Sequence, residues 1–130
     1  MADFKLTYAT MFNPPEELHT RFDEALAEVR ANLGSEYGML ISGDEYFAEN
    51  KFKSKNPANT QEVLGIFQTG TTEDANAAIT AANAAFSSWS QTPYLERASL
   101  LRKAADLIDA RIFKIAAAIS LEVGKNRLEA

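Results

Sequence analysis

Apolar residues return along this chain with changing rhythm, and the changes divide it into three parts. Leu18, Phe22, Ala25, Val29 and Leu33 recur at steps of four, three, four and four, the spacing that lines one face of an α-helix. Asn13-Pro14-Pro15-Glu16-Glu17 precedes that stripe. Asn suits the N-cap, Pro the first helical position, and the two Glu the positive end of the helix dipole. Gly34 is placed to end the helix in a left-handed conformation. Residues 1–12 show no period and read as an arm, so residues 1–36 form an arm and a capped helix.

Residues 37–70 follow a shorter rhythm. Tyr37-Gly38-Met39-Leu40-Ile41 predicts a strand, Ser42-Gly43-Asp44-Glu45 a turn, and Tyr46-Phe47 the start of a return strand. Asn56-Pro57-Ala58-Asn59 breaks the pattern, and Glu62-Val63-Leu64-Gly65-Ile66-Phe67 predicts a third strand. Three short strands need something to pack against.

Residues 71–130 read as helices. Thr71 and Asp74 form a near-capping box, with Asp in place of Glu or Gln. Ile79, Ala82, Phe86 and Trp89 fall on one face and predict a core stripe. Thr92-Pro93 opens the next helix with Pro in its first position. Its stripe is Ala98, Leu101, Ala105, Ile108 and Ile112, continued by Ile115, Ile119 and Val123. An unbroken helix over residues 93–123 would span about 45 Å, so a bend near Arg111 is expected. Gly124 stops the run. Asn126 then caps a new start, with Glu129 three residues on in the position of a capping box. That start has no room for the turns that repay nucleation.

Composition narrows the chemistry. The 130 residues are 46% hydrophobic and 24% charged, with no cysteine, one histidine and a net charge of −5. The absence of cysteine excludes disulfides, thiolate metal sites and a cysteine nucleophile within these residues, and fits a cytoplasmic setting. The acidic balance opposes non-specific binding to nucleic acid or anionic membranes. No apolar run is long enough to span a membrane.

The individual candidates read as structure. Gly124-Lys125 lacks the earlier Gly and following Ser or Thr of a phosphate loop, since Ile119 and Asn126 stand there. Gly34, Gly38 and Gly43 do not make a dinucleotide fingerprint. Asp44, Glu45 and Glu49 lack calcium-loop spacing. His19 has no second histidine or cysteine to share a metal with. Phe86 and Trp89 read as core, and Asp106 and Asp109, near Arg102, Lys103 and Arg111, as a solvated face with local ion pairs. No catalytic, cofactor-binding or metal-ligating residue is assigned.

The order of landmarks carries more. Asn56-Pro57, Glu62-Val63-Leu64-Gly65, Ala78 to Phe86 with Trp89, Glu96-Arg97, Leu100-Leu101, Ala104-Ala105-Asp106-Leu107-Ile108 with Arg111, Glu122-Val123-Gly124-Lys125 and Glu129-Ala130 follow one another in sequence. Residues 37–130 thereby resemble the N-terminal stretch of NAD(P)-dependent aldehyde dehydrogenases. The preceding capped helix and the Asn56–Asn59 turn are similar to the pyrroline-5-carboxylate branch, which oxidises L-glutamate γ-semialdehyde with NAD in proline breakdown. The resemblance implies an α/β parent fold, of which this stretch is a mostly α-helical part with a small β-hairpin and strand insert. It implies helices in residues 71–130 that flank the cofactor domain and stop at the start of the next helix. The partner it implies is the remainder of the enzyme chain, in a cytoplasmic homo-oligomer, with no nucleic-acid or membrane partner. The family's catalytic cysteine, its water-activating glutamate and its NAD site fall on no residue here, so NAD is expected in the parent enzyme and no cofactor on this chain alone. A rival of another class is a free-standing helical interaction module pairing through Ile79, Phe86, Ile112 and Ile119.

Overall fold

A computed structural model describes residues 13–130; the arm read over residues 1–12 lies outside the described residues. In chain order the elements are α1 (Glu16–Ala31), β1 (Glu36–Tyr37), β2 (Met39–Ile41), β3 (Asp44–Tyr46), β4 (Lys51–Asn56), β5 (Asn59–Gln68), α2 (Thr72–Gln91), α3 (Tyr94–Asp109) and α4 (Ile112–Val123).

Helix α1 starts later than its sequence suggests. Pro15, not Asn13, is the N-cap, with φ −67° and ψ 152°. The ring of Pro15 keeps Pro14 out of the helical region, so Pro14 cannot serve as the first helical residue. At the other end the cap is Asn32, whose Nδ2 donates to Glu28 O at 2.9 Å. Gly34 does adopt a positive φ of 77°. Its N–H, however, leaves the helix and donates to Leu64 O at 3.1 Å, tying the turn to β5.

The expected strand over residues 37–41 is two strands. β1 runs parallel to β5, with Tyr37 opposite Phe67. After Gly38 the chain turns away, and β2 pairs antiparallel with β3 as a separate hairpin. The Ser42-Gly43 loop has both φ values positive, at 57° and 93°. Those values belong to the tight turn whose twist matches the strands, so β3 begins at Asp44 rather than Tyr46. β4 escaped the sequence reading because Lys51-Phe52-Lys53-Ser54-Lys55-Asn56 carries one large apolar residue. It is an edge strand in the order β1-β5-β4, where lysines discourage further pairing. The Asn56–Asn59 break is the β4–β5 hairpin turn.

The capping box of α2 is complete. Thr71 Oγ1 accepts from Asp74 N at 3.2 Å, and Asp74 Oδ2 accepts from Thr71 N at 2.8 Å. Pro93 caps α3 rather than entering it. The long helical run does break, at Ala110-Arg111, and α4 folds back onto α1. Gly124 closes α4 with a φ of 74°.

The core lies between α1 and α4: Phe22 and Ala25 meet Ala116 and Ala117, and Ala117 is 0% exposed. The stripes expected to be core are not. No residue of α2 or α3 is buried, and Ile79, Phe86, Trp89, Leu101 and Ile108 all face outward, with Phe86 67% and Leu101 71% exposed. In α4 the buried face runs through Ala116, Ala117 and Leu121, while Ile112, Ile115 and Val123 are exposed. Small residues let α4 approach α1 closely, and this turns the larger isoleucines outward. Ser120 Oγ is buried without a hydrogen-bond partner among the described residues.

Candidate functional site

Between α1, the three-stranded sheet and α4 lies an open groove of about 750 Å³. One wall carries the rings of Tyr37 and Phe67, which belong to an aromatic ladder across the strands. Tyr37 and Phe67 stack with centroids 5.3 Å apart, and Phe52 stacks on Phe67 at 5.7 Å. Gly65 makes this possible, since a Cβ there would sit 2.9 Å from the Phe67 ring and 3.1 Å from Tyr37. Val29 of α1 and Ile115, Ala118 and Leu121 of α4 complete an apolar lining. Arg111, Lys114 and Glu122 stand among the lining residues, and the Lys114 ammonium is already paired with Glu28. The groove offers area and shape rather than a nucleophile or an acid–base pair.

Alternation along the strands places a polar junction on the other sheet face. The buried Gln68 side chain accepts from Ala48 N at 2.8 Å and donates to Tyr37 O and Glu36 Oε1, both at 3.0 Å. Lys51 Nζ reaches the same Glu36 oxygen at 2.7 Å. The bonds from Lys51 and then Gln68 hold the Glu36 carboxyl below the usual glutamate range. At the hairpin turn, buried Asn56 donates to Glu62 Oε2 at 2.7 Å and accepts from Ala58 N at 2.9 Å. These amides fix the sheet.

The segment after Gly124 returns to α1. Asn126 Oδ1 accepts from Leu128 N at 3.0 Å and Glu129 N at 3.1 Å, so Asn126 caps a single turn. Arg127 reaches across to α1, where Nη1 donates to His19 Nδ1 and Nη2 meets Asp23 Oδ1, each at 3.0 Å. Its guanidinium carbon lies 4.9 Å from the Phe22 ring centroid. Sequence reasoning weighed His19 alone; its partner is 108 positions away.

The remaining sequence candidates are scattered. Glu45 Oε1 accepts from Gly38 N at 3.0 Å, so that carboxylate braces the small hairpin. Among the described residues no three His, Asp or Glu side chains gather as a metal group. Asp106 and Asp109 pair with neither Arg102, Lys103 nor Arg111, and the local ion pairs expected on α3 do not form. Gly124-Lys125 lies at the carbonyl end of α4. A dinucleotide's phosphates need free N–H groups where a glycine-rich turn feeds a helix from a strand. The junction of that shape here, β5 to α2 through Gly70, does not fit, because the Asp74 carboxylate already occupies the helix start.

Comparison with known proteins places this arrangement. Residues 46–130 match the model of the aldehyde dehydrogenase family, and the chain belongs to that family. Among curated proteins it is similar to the 1-pyrroline-5-carboxylate dehydrogenase of Staphylococcus saprophyticus, 36% identical over 104 residues, covering 80% of this chain and 20% of that protein. It is likewise similar to the same-named protein of a Geobacillus strain, 38% identical over 109 residues, covering 84% of this chain and 21% of that protein. Among solved structures, a variant of Thermus thermophilus 1-pyrroline-5-carboxylate dehydrogenase matches 99% of this chain and 25% of its own, with a TM-score of 0.88 at 32% identity. A Thermus structure of that enzyme with bound NAD matches with the same score and coverage. The chain therefore spans about a fifth of the length of the curated relatives it matches.

Proposed function

We propose that this chain is the scaffold segment of an NAD-dependent aldehyde dehydrogenase that oxidises L-glutamate γ-semialdehyde, the open form of 1-pyrroline-5-carboxylate, to glutamate in proline breakdown. The observation that carries this is the match of nearly the whole fold to a quarter of the Thermus enzyme at a TM-score of 0.88. The absence of cysteine in the sequence agrees, because the thiol the family chemistry uses must come from elsewhere. In this reading residues 1–36 are an arm and α1, residues 37–70 the strands, and residues 71–130 helices against the cofactor domain. The outward apolar residues of α2 and α3 are then covered by the remainder of the enzyme, in a cytoplasmic homo-oligomer. NAD accepts the hydride when bound in that remainder. The residues described here hold the sheet and helices that the remainder packs on. They bind no cofactor and are inactive alone.

A chimera tests this. The matched quarter of the Thermus thermophilus enzyme is replaced by this chain, and NADH formation is followed with glutamate semialdehyde. The chimera is expected to turn over, whereas the enzyme lacking the segment is not. A folded, oligomeric chimera inactive on all aldehydes would overturn the scaffold role. The exposed faces of α2 and α3 also suit a free-standing interaction module. That reading requires the chain alone to form a defined oligomer with a sharp melt.

A further inference from the structure

Three features of β4 meet at its outer edge. The sheet runs β1-β5-β4, so the outer main-chain groups of Lys51–Asn56 face no strand among the described residues. The aromatic ladder that starts at Tyr37 and passes through Phe67 ends on the Phe52 ring, which is 54% exposed. On the opposite face stand Lys51, Lys53 and Lys55, all exposed and placed together by the two-residue period of a strand. The register irregularities leave this alternation intact, because the residues they skip, Leu64 among them, lie on β5.

The charge on that face is only partly matched. Lys51 is held by Glu36. Lys53 and Lys55 take no ion pair among the described residues. In a chain of net charge −5, this short strand is thus a local excess of positive charge. Lysines on an edge repel another basic strand. They also select a strand whose carboxylates fall at the same spacing. A second copy of this chain does not supply one. β4 against β4 sets lysine opposite lysine, which destabilises the pair. β3 is acidic, but Asp44 shares a face with Tyr46 while Glu45 takes the other, so acid and ring are not sorted onto opposite faces.

We propose that β4 is a docking strand for an extended segment of a partner protein in which carboxylates alternate with apolar side chains. The segment's main chain adds to the open edge, and its alternate side chains give the specificity. Its carboxylates meet Lys53 and Lys55 on one face. On the other, a ring opposite Phe52 carries the aromatic ladder onto a fourth strand. Each cross-strand pair contributes modestly, so the selection comes from meeting both faces in one register. The docking strand does not depend on the enzyme assignment.

The test is an NMR titration of the isotope-labelled full chain with the end-blocked peptide Glu-Val-Glu-Phe-Glu. Amide shifts should concentrate in residues 51–55, with nuclear Overhauser contacts between the Phe52 ring and the peptide ring. Added salt should weaken the binding. Lys53→Glu combined with Lys55→Glu should weaken it about tenfold, the scale of two lost cross-strand pairs. On that double variant the peptide Lys-Val-Lys-Phe-Lys should bind instead, which also shows that the altered strand still folds. Failure of this exchange to restore binding would overturn the proposal, as would an absence of shifts in β4. Equal binding of Glu-Glu-Glu-Val-Phe, with the same composition but no alternation, would overturn it too, since the edge would then be only a charged surface. Binding should persist in the folded chimera. Loss there would show that the enzyme itself covers β4 and would overturn a partner in trans.

Discussion

Thr71 and Asp74 satisfy each other's backbone at the start of α2, at 3.2 Å in one direction and 2.8 Å in the other. A third bond, from Thr71 Oγ1 to Asp74 Oδ2 at 2.9 Å, locks the two side chains together. Since α2 buries no residue, local bonds of this kind carry more of its stability than usual. Thr71→Ala is expected to cost about 1 kcal/mol, the ordinary worth of an N-cap. Loss of helical signal below the main urea transition measures it. An unchanged curve would show that α2 does not rely on its cap.

Acid should weaken the fold through two identified carboxylates. Backbone and side-chain bonds from Thr71 hold Asp74 below the usual aspartate range, and Lys51 then Gln68 do so for Glu36. A lowered folded pKa means the unfolded chain takes up the proton first. The stabilisation is therefore present above the ordinary carboxylate range, about pH 4. It is lost as pH falls through the lowered values. Tm measured from pH 6 to pH 2 should drop across that window. Glu36→Gln should lower Tm at pH 6 and flatten the drop.

The α1–α4 seam predicts opposite responses to size and polarity. Phe22→Ala removes the largest buried ring of the seam and should cost about 3–5 kcal/mol. Ala117→Leu should cost about 1–3 kcal/mol by overpacking. Ser120→Ala deletes a buried hydroxyl that has no described partner and should leave stability unchanged or raise it by up to about 1 kcal/mol. Urea midpoints of the three variants check the order.

The outward apolar positions predict a contrast between settings. Phe86→Ser and Leu101→Ser should each change the stability of the isolated chain by no more than about 0.5 kcal/mol. Both should reduce its binding of a hydrophobic dye. In the chimera the same changes should lower assembly and activity. A chimera indifferent to both would mean that α2 and α3 remain in solvent there too. The isolated chain should melt below about 60 °C, within the range of ordinary domains.

Much of the element order was legible because its signals are local. The Thr71–Asp74 box and the stop at Gly124 depend on residues a few positions apart and formed as read; Asn126 caps its turn, but among the described residues no bond from Asn126 N to the Glu129 carboxylate completes the box. The bend near Arg111 followed from length alone. The start of α1 was misplaced because a second proline overrules a good capping residue. β4 was missed because an edge strand need not alternate apolar with polar. The core was misassigned for a deeper reason. A helical stripe reports that a face is meant to be covered, but not by what. Phe86 and Leu101 carry that signal while facing outward; the α1 half of the seam, Phe22 and Ala25, was in the counted stripe, whereas its α4 half is built on Ala116 and Ala117, which no periodicity count favoured. The groove and the Arg127 contact were illegible because they join residues far apart in sequence.

The Gln68 junction gives the sheet ties that acid does not reach. Its amide bonds to Ala48 and Tyr37 join groups that do not titrate, while the third runs to the Glu36 carboxylate. The attachments around it at Lys51–Glu36, Lys114–Glu28, Arg127–Asp23 and Arg30–Glu62 each spend a carboxylate charge. As acid neutralises those charges, the ties between helices and the clamp on β1 loosen while the amide and the stacked rings hold. The apolar seam of Phe22, Ala25, Ala116 and Ala117 holds α1 to α4 in the same way, so the strands and the helix pair each keep a neutral core as the charged ties between elements are lost.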